Sequence, residues 1–139
     1  MSLAKKTAIT LAFSFFFIAM TPIALCNSTS SPVVYIATDG SGDYNCDGID
    51  DHVQINQALN YVNELGGGTV YLRGPSTYWI SSTLFMGDNT ILEGDSDATI
   101  KLVDEAGWNN LVPMIANLPD SSNNFTIQGF IIDGNSKKQ

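Results

Sequence analysis

The chain has 139 residues, with 14 acidic against six basic residues and a formal net charge of −8 at neutral pH. This length suits one ordinary domain. The negative charge argues against nucleic acid as a partner, because nucleic-acid binding depends on cationic side chains that neutralise phosphates. The composition therefore favours an acidic globular domain whose surface charge promotes solubility or attracts cations.

The first 27 residues are predicted to form a secretory signal peptide. Lys5 and Lys6 precede an uncharged apolar run over residues 7–25, and a polar segment follows from Cys26. This order of regions is typical of an export signal. An uncleaved anchor is the alternative, because the run is about long enough to cross a bilayer, which takes roughly 17–25 residues. We therefore expect a secreted or cell-surface protein, with membrane contact only through an uncleaved leader.

Residues 28–32 are predicted to form a polar linker, and residues 33–139 a single domain. A short apolar run at Val33–Ala37 predicts the first strand. Glycines and acidic residues dominate residues 38–50, which predicts a loop without regular structure. Cys46 would be the only cysteine left after cleavage, so no intramolecular disulfide is expected.

One amphipathic helix is predicted over residues 51–65. Asp51 is the expected N-cap, and Gln54 completes a variant of the capping box. The residues expected on its apolar face are Ile55, Ala58, Leu59, Val62 and Leu65. Three glycines at 66–68 end the helix, because a left-handed C-terminal residue is easiest for glycine.

Three short segments, residues 69–74, 89–94 and 124–129, repeat one strand pattern. Each ends in glycine, with an aliphatic residue two positions earlier and a long polar residue directly before the glycine. Such repetition indicates a solenoid in which successive turns stack matching positions. Aligning the glycines predicts two inward columns, Leu72 with Leu92 and Ile127, and Val70 with Thr90 and Phe125. The outward residues are then Arg73, Glu93 and Gln128, with Arg73 and Glu93 forming an exposed ion pair worth about 0–1 kcal/mol.

The remaining predicted strands are residues 78–80, 98–102, 114–116 and 125–132. An excursion is expected at residues 104–113, with Trp108 and Leu111 packing back on the wall. Two unrelated hairpins are the alternative, but the separators lack the two-residue Asn-Gly or Asp-Gly turns that hairpins favour.

Residues 48–60, 66–72, 78–80 and 89–94 together resemble the N-terminal region of pectate-lyase-superfamily proteins. More narrowly, the chain after the leader is similar to exported archaeal surface proteins of that superfamily. The resemblance implies a mainly β fold, a right-handed parallel β-helix of which only the first few coils are present. It also implies that the helix at 51–65 caps the open first coil. The expected function is that of an exported cell-surface module in a polysaccharide-processing superfamily.

In that superfamily the catalytic acidic residues generally lie on later coils. The chain ends at Gln139, before such coils and without a second cap, so we expect a truncated gene product or a fragment of a longer ancestor, not catalytic alone. The alternatives are a non-enzymatic surface adhesion or glycan-binding module and a small active polysaccharide lyase or hydrolase. A polysaccharide or cell-envelope glycan is the expected partner, no catalytic residue is assigned, and the oligomeric state is left open.

Asp43, Asn45 and Asp47 match the front half of a calcium-binding loop, with oxygen ligands at alternating positions and a following glycine. The twelfth position is Gln54 instead of the bidentate glutamate. The alternative is an acidic turn whose side chains bond their own backbone. We assign no cofactor and keep calcium as a hypothesis for these three residues.

Other candidates have ordinary structural interpretations. Tyr71, Tyr78 and Trp79 form a sugar-stacking platform if they point outward, and otherwise they pack in the core and wall. Asn124 starts an N-glycosylation sequon. His52 is the only histidine, and its sequence neighbourhood identifies no triad partners. The acidic residues considered for glycoside hydrolysis, and expected to be solvated turn residues, are Asp95, Asp97, Asp104, Glu105 and Asp133.

Overall fold

The computed structural model describes residues 30–109, 111–119 and 124–139. The predicted signal peptide and the first two residues of the predicted linker lie outside these ranges. Within them, no helix has the length and apolar character needed to cross a membrane.

The described ranges contain one helix and ten strands. In chain order they are β1 Val33–Ala37, β2 Tyr44–Asn45, α1 His52–Glu64, β3 Gly68–Leu72, β4 Ser76–Ile80, β5 Leu84–Met86, β6 Thr90–Gly94, β7 Ala98–Leu102, β8 Ile115–Asn117, β9 Thr126–Gln128 and β10 Ile131–Asp133. The predicted loop at 38–50 therefore includes the short strand β2, and β5 was not predicted. The predicted strand at 125–132 is broken between β9 and β10, because Gly129 adopts a left-handed φ of 87°.

The strands form three sheets, and every strand pair is parallel. The first sheet has the order β2-β1-β3-β6-β9, the second β10-β7-β4, and the third β5-β8. From β3 onward, consecutive strands fall in the first, second and third sheet, then in the same three again, then in the first and second. The protein is thus mainly β, with parallel sheets visited in a repeating order.

The core lies between the inner faces of the sheets and one face of α1. Alternate strand residues point inward, so Val34, Val70 and Leu92 are buried while their chain neighbours face out. The helix residues predicted to be apolar and inward are confirmed as buried, except Leu65, which follows α1 and is exposed. Gly66 ends the helix as predicted, with a left-handed φ of 87°.

The predicted capping box does not form. The Asp51 side chain makes no cap bond to α1. Its carboxylate instead accepts the backbone N–H of Gly48 at 2.9 Å and of Trp79 at 2.7 Å. The Gln54 Oε1 atom is buried and has no hydrogen-bond partner among the described residues. The Asp51 carboxylate is not available to cap the helix because it binds backbone N–H groups of the preceding loop and of β4.

The predicted alignment of β3 with β6 is wrong by two residues. Val70, not Leu72, lies opposite Leu92, and Leu72 lies opposite Gly94. The alignment of Leu92 with Ile127 is confirmed. A two-residue shift keeps every side chain on its predicted face, because side chains alternate along a strand. A Cβ atom at Gly94 would lie 2.9 Å from the Leu72 Cβ, so this register needs glycine there.

The shift also changes the second predicted column. Thr90 lies opposite Gly68 instead of Val70, and Phe125 precedes β9. The predicted excursion is present as the segment between β7 and β8, and Trp108 packs against the core as predicted. Leu111 is 85% exposed, so its predicted packing on the wall is wrong.

Candidate functional site

A row of outward side chains crosses four strands of the first sheet. Tyr35 on β1 lies opposite Tyr71 on β3, which lies opposite Glu93 on β6, which lies opposite Gln128 on β9. We call these four residues the tyrosine row. With strands about 4.8 Å apart, the row extends roughly 14 Å across the sheet. It presents two aromatic rings, a carboxylate and an amide on one surface.

The two rings are in contact, and a cation lies over one of them. The Tyr35 and Tyr71 ring centroids are 5.7 Å apart with planes tilted by 59°. The guanidinium of Arg73 lies 4.6 Å from the Tyr35 centroid, and its Nη1 donates to Ser41 Oγ at 2.9 Å. The predicted pair with Glu93 is therefore wrong, because Arg73 turns toward β1 and the register places Glu93 beside Tyr71.

Asp95 holds the far side of Tyr71. Its carboxylate accepts the Tyr71 hydroxyl at 2.6 Å and the backbone N–H of Gly74 at 2.8 Å. The Gly74 N–H, followed by the Tyr71 hydroxyl, lowers the pKa of Asp95 below its usual value. The hydrogen bond between Tyr71 and Asp95 is also the main reason that the pKa of Tyr71 is raised. Asp95 therefore remains ionised at neutral pH and fixes the orientation of the Tyr71 side chain.

A second outward group lies on the second sheet. Trp79 on β4 lies opposite Lys101 on β7, which lies opposite Asp133 on β10. The Lys101 Nζ is 5.5 Å from the Trp79 ring centroid and 2.8 Å from Asp133 Oδ2. The hydrogen bond from Lys101 is the main cause of a lowered pKa for Asp133.

The three-residue aromatic platform expected from the sequence is not assembled. Tyr78 is fully buried, and its hydroxyl proton is shared between the backbone oxygens of Ile36 and Arg73, which lie 3.0 and 2.7 Å from the hydroxyl oxygen. Burial raises the pKa of Tyr78. Tyr71 and Trp79 lie on different sheets. The sequence reasoning missed Tyr35, whose outward position follows from the alternation of Val33–Ala37.

The calcium candidates each bond a nearby backbone N–H. Asp43 Oδ2 accepts from Tyr35 at 2.8 Å, Asn45 Oδ1 from Gly42 at 3.0 Å, and Asp47 Oδ1 from Ile49 at 3.0 Å. The Asn45 and Asp47 bonds are those expected of the acidic-turn alternative, whereas Asp43 bonds β1, outside the loop. Over the described ranges, no group of three or more His, Cys, Asp or Glu side chains is placed to hold a metal ion. Calcium binding by these residues stays a prediction.

The structure brings His52 together with two residues that the sequence reasoning did not connect to it. Its Nδ1 lies 3.5 Å from Ser81 Oγ and 3.9 Å from Asp50 Oδ1. The Ser81 hydroxyl hydrogen-bonds to Asp50 Oδ1. Because the serine proton is directed to the carboxylate and not to the imidazole, this arrangement does not activate a nucleophile in the way a catalytic triad does.

Three further candidates have mainly structural surroundings. Asp104 Oδ1 accepts the Asn135 amide at 2.7 Å. Cys46 is buried, and burial followed by the Asp51 charge raises the pKa of its thiol to about 12. Asn124 is exposed and its Nδ2 donates to Asn89 Oδ1 at 3.4 Å, while its glycosylation stays a prediction.

The chain matches no protein-family model, no curated protein and no solved structure. Any function is therefore inferred from the geometry of its own residues. The tyrosine row has the chemistry of a surface that binds a polar ligand with apolar faces, since tyrosine combines a broad ring with a hydrogen-bonding hydroxyl.

Proposed function

We propose that the fold is a right-handed parallel β-helix whose first coil is covered by α1. The coils are supported by the order of the strands, because consecutive strands from β3 onward lie in the first, second and third parallel sheet and then repeat that order. The right-handed sense is supported by the general rule that crossovers between parallel strands of one sheet are right-handed. Packing of the helix on β1, β3 and β5 supports its role as a cover for apolar side chains and strand edges.

We further propose that the protein is an exported surface module that binds a polysaccharide or cell-envelope glycan through the tyrosine row. The single observation that carries this proposal is the contact of Tyr35 and Tyr71 on an outer sheet face, with Glu93 and Gln128 continuing the row. Sugar rings have apolar faces that pack on aromatic rings, and their hydroxyls bond to carboxylates and amides. The leader predicted at 1–27 supports export.

Binding without turnover is favoured over an active lyase or hydrolase. Glycoside hydrolysis generally uses a protonated carboxylic acid and a second carboxylate on either side of the scissile bond. Asp95 is the carboxylate bound to Tyr71, and two hydrogen bonds hold it in the ionised form. It therefore acts as a positioning residue for Tyr71 and not as a general acid.

Affinity electrophoresis of the purified exported chain in gels containing neutral or acidic polysaccharides tests this function. We expect retardation by at least one polysaccharide and no release of reducing ends or unsaturated products. Tyr35→Ser should weaken retention roughly fivefold, because ring contacts of this kind contribute about 1 kcal/mol. Tyr61→Ser is the matched control, since Tyr61 is 46% exposed on α1 and lies outside the tyrosine row.

Three results would count against the proposal. Absence of retention by every polysaccharide would exclude glycan binding, and equal effects of the two tyrosine substitutions would exclude the tyrosine row. Turnover by the purified chain would show an enzyme instead. Recovery of the chain only inside the cell would contradict export.

A further inference from the structure

A small open groove lies beside the turn that joins β4 to β5. Ser81, Ser82 and Thr83 form one wall, and Trp108, Asn109 and Val112 from the segment between β7 and β8 form the other. Its volume is about 210 Å³. Sites for drug-sized ligands occupy roughly 300–1,000 Å³, so this groove suits one small unit of a ligand.

Hydrogen bonds hold both walls in place. The Trp108 Nε1–H donates to the Val112 oxygen at 2.7 Å, which fixes the orientation of the indole. The Thr83 hydroxyl donates to the Pro113 oxygen at 2.9 Å, and this bond ties the turn to the segment across the groove. Trp108 also packs against the core. The groove is therefore formed before any ligand arrives, which lowers the entropy cost of binding.

Ser81 is oriented by the cluster that contains Asp50 and His52. Its hydroxyl proton is directed to the Asp50 carboxylate, so the lone pairs of Ser81 Oγ are left to accept a hydrogen bond. The His52 imidazole, 3.5 Å from Ser81 Oγ, borders the same hydroxyl. Ser81 is thus presented as an acceptor for a ligand hydroxyl.

The charge around the groove selects among ligands. None of the described residues that line the groove is cationic. The Asp50 carboxylate, bonded to Ser81, adds a negative charge at the rim. A ligand carboxylate placed there would meet a like charge, and the described residues that line the groove offer it no cationic side chain.

We propose that this groove is a binding subsite for one neutral sugar unit and that it discriminates against uronic acids. The sugar ring packs on the Trp108 indole, and one of its hydroxyls donates to Ser81 Oγ. This inference rests on the glycan-binding function proposed above and adds a second point of contact, on a different part of the surface from the tyrosine row, together with a preference for neutral chains.

Tryptophan fluorescence gives a local test, because the chain contains only Trp79 and Trp108. In the full chain carrying Trp79→Phe, Trp108 is the single reporter. We would titrate this protein with methyl β-glucoside, methyl β-N-acetylglucosaminide and methyl α-galacturonate. We expect a saturable change in Trp108 emission with a neutral glycoside and affinity for the galacturonate at least roughly tenfold weaker.

Ser81→Ala in the same background should weaken the neutral ligand roughly three- to tenfold, the loss of one hydrogen bond. Ser96→Ala, an exposed turn residue between β6 and β7, is the matched control and should have no effect. Circular dichroism of each variant confirms that it is folded. Absence of a saturable response to both neutral glycosides, or equal affinity for the galacturonate, would overturn the inference.

The outcome is separable from that of the tyrosine row. Tyr35→Ser should abolish most polysaccharide retention and leave the Trp108 response to the monosaccharide intact. Retention without a Trp108 response would overturn the groove and leave the proposed function standing. A Trp108 response in a chain whose polysaccharide retention is insensitive to Tyr35→Ser would support the groove and overturn the tyrosine row.

Discussion

The Asp51 carboxylate accepts the backbone N–H of Trp79 at 2.7 Å, joining the residue that precedes α1 to the interior of β4. Its other oxygen accepts the N–H of Gly48 at 2.9 Å, and its own N–H donates to the Trp79 oxygen at 2.9 Å. Asp51 is fully buried. A charged group tolerates burial when its oxygens receive hydrogen bonds. One side chain therefore links the loop before the helix to the second sheet.

Asp51→Ala should destabilise the protein by about 2–4 kcal/mol, because two backbone donors lose a charged acceptor in a buried site. Urea denaturation followed by circular dichroism measures this loss. Asp47→Ala is the control: Asp47 is exposed and its carboxylate accepts the nearby N–H of Ile49, so a loss below about 1 kcal/mol is expected. Similar losses at the two positions would contradict the linking role of Asp51.

Gly94→Ala should cost about 1–3 kcal/mol, because the added methyl would press on the Leu72 side chain across the β3–β6 pair. Gly134→Ala is the matched control, since its added Cβ would meet only the Met114 sulfur at 4.0 Å. Thermal denaturation of both variants gives the comparison. If Gly94→Ala were as stable as Gly134→Ala, Leu72 would not lie opposite Gly94.

The register of β3 and β6 is a feature that the local sequence pattern did not predict. The repeated segments predict the buried faces of β3 and β6 correctly, because alternation is a local property. In the third repeat, Phe125 and Ile127 were predicted inward but are 46% and 38% exposed. The glycines that close the repeated segments are alike in sequence but differ in use. Gly94 faces Leu72 inside the fold, whereas the N–H of Gly74 bonds the Asp95 carboxylate. The different roles of Gly74 and Gly94 become visible only when the strands are paired. Aligning the two glycines from the sequence therefore placed β3 two residues out of register with β6.

The candidate site was predicted only in part for the same reason. Tyr71 was identified from its strand, but its partners Tyr35 and Asp95 come from other strands and meet it through sheet pairing. The helix was predicted more completely, since its periodicity and terminal glycines are local. The role of Asp51, the residue before α1, was predicted wrongly. Its carboxylate accepts the backbone N–H groups of Gly48 and Trp79 instead of capping the helix.

Tyr71→Phe should raise the pKa of Asp95 toward its usual value near 3.8, because it removes one of the two hydrogen bonds that stabilise the carboxylate. The pKa remains below that value, since Gly74 still donates. Because the folded-state pKa is lowered, the stability from Asp95 is present above about pH 4 and is lost as the pH falls through the folded pKa.

Carboxyl-carbon NMR titration measures the Asp95 pKa directly. Tyr35→Phe is the control, because it leaves the bond between Tyr71 and Asp95 in place. An Asp95 pKa that is unchanged by Tyr71→Phe would show that the hydroxyl does not bond the carboxylate in solution.

The Cys46 thiol should resist alkylation in the folded protein. Burial, reinforced by the nearby Asp51 charge, raises its pKa to about 12, and the thiolate is the reactive form. A raised folded-state pKa means that the neutral thiol contributes stability below the unfolded value near 9, and that this stability is lost as the pH rises toward 12.

Iodoacetamide labelling at pH 8 with peptide mass spectrometry reads Cys46 separately from any other cysteine. We expect labelling of Cys46 in concentrated urea and almost none in native buffer, because the reagent reaches the buried thiol only when the protein unfolds. Ser96→Cys supplies an exposed thiol as the control for reagent access. Cys46 could instead be labelled in native buffer as fast as the exposed thiol. That result would mean that the loop between β2 and α1 opens readily and that the Asp51 contacts next to Cys46 do not hold it closed.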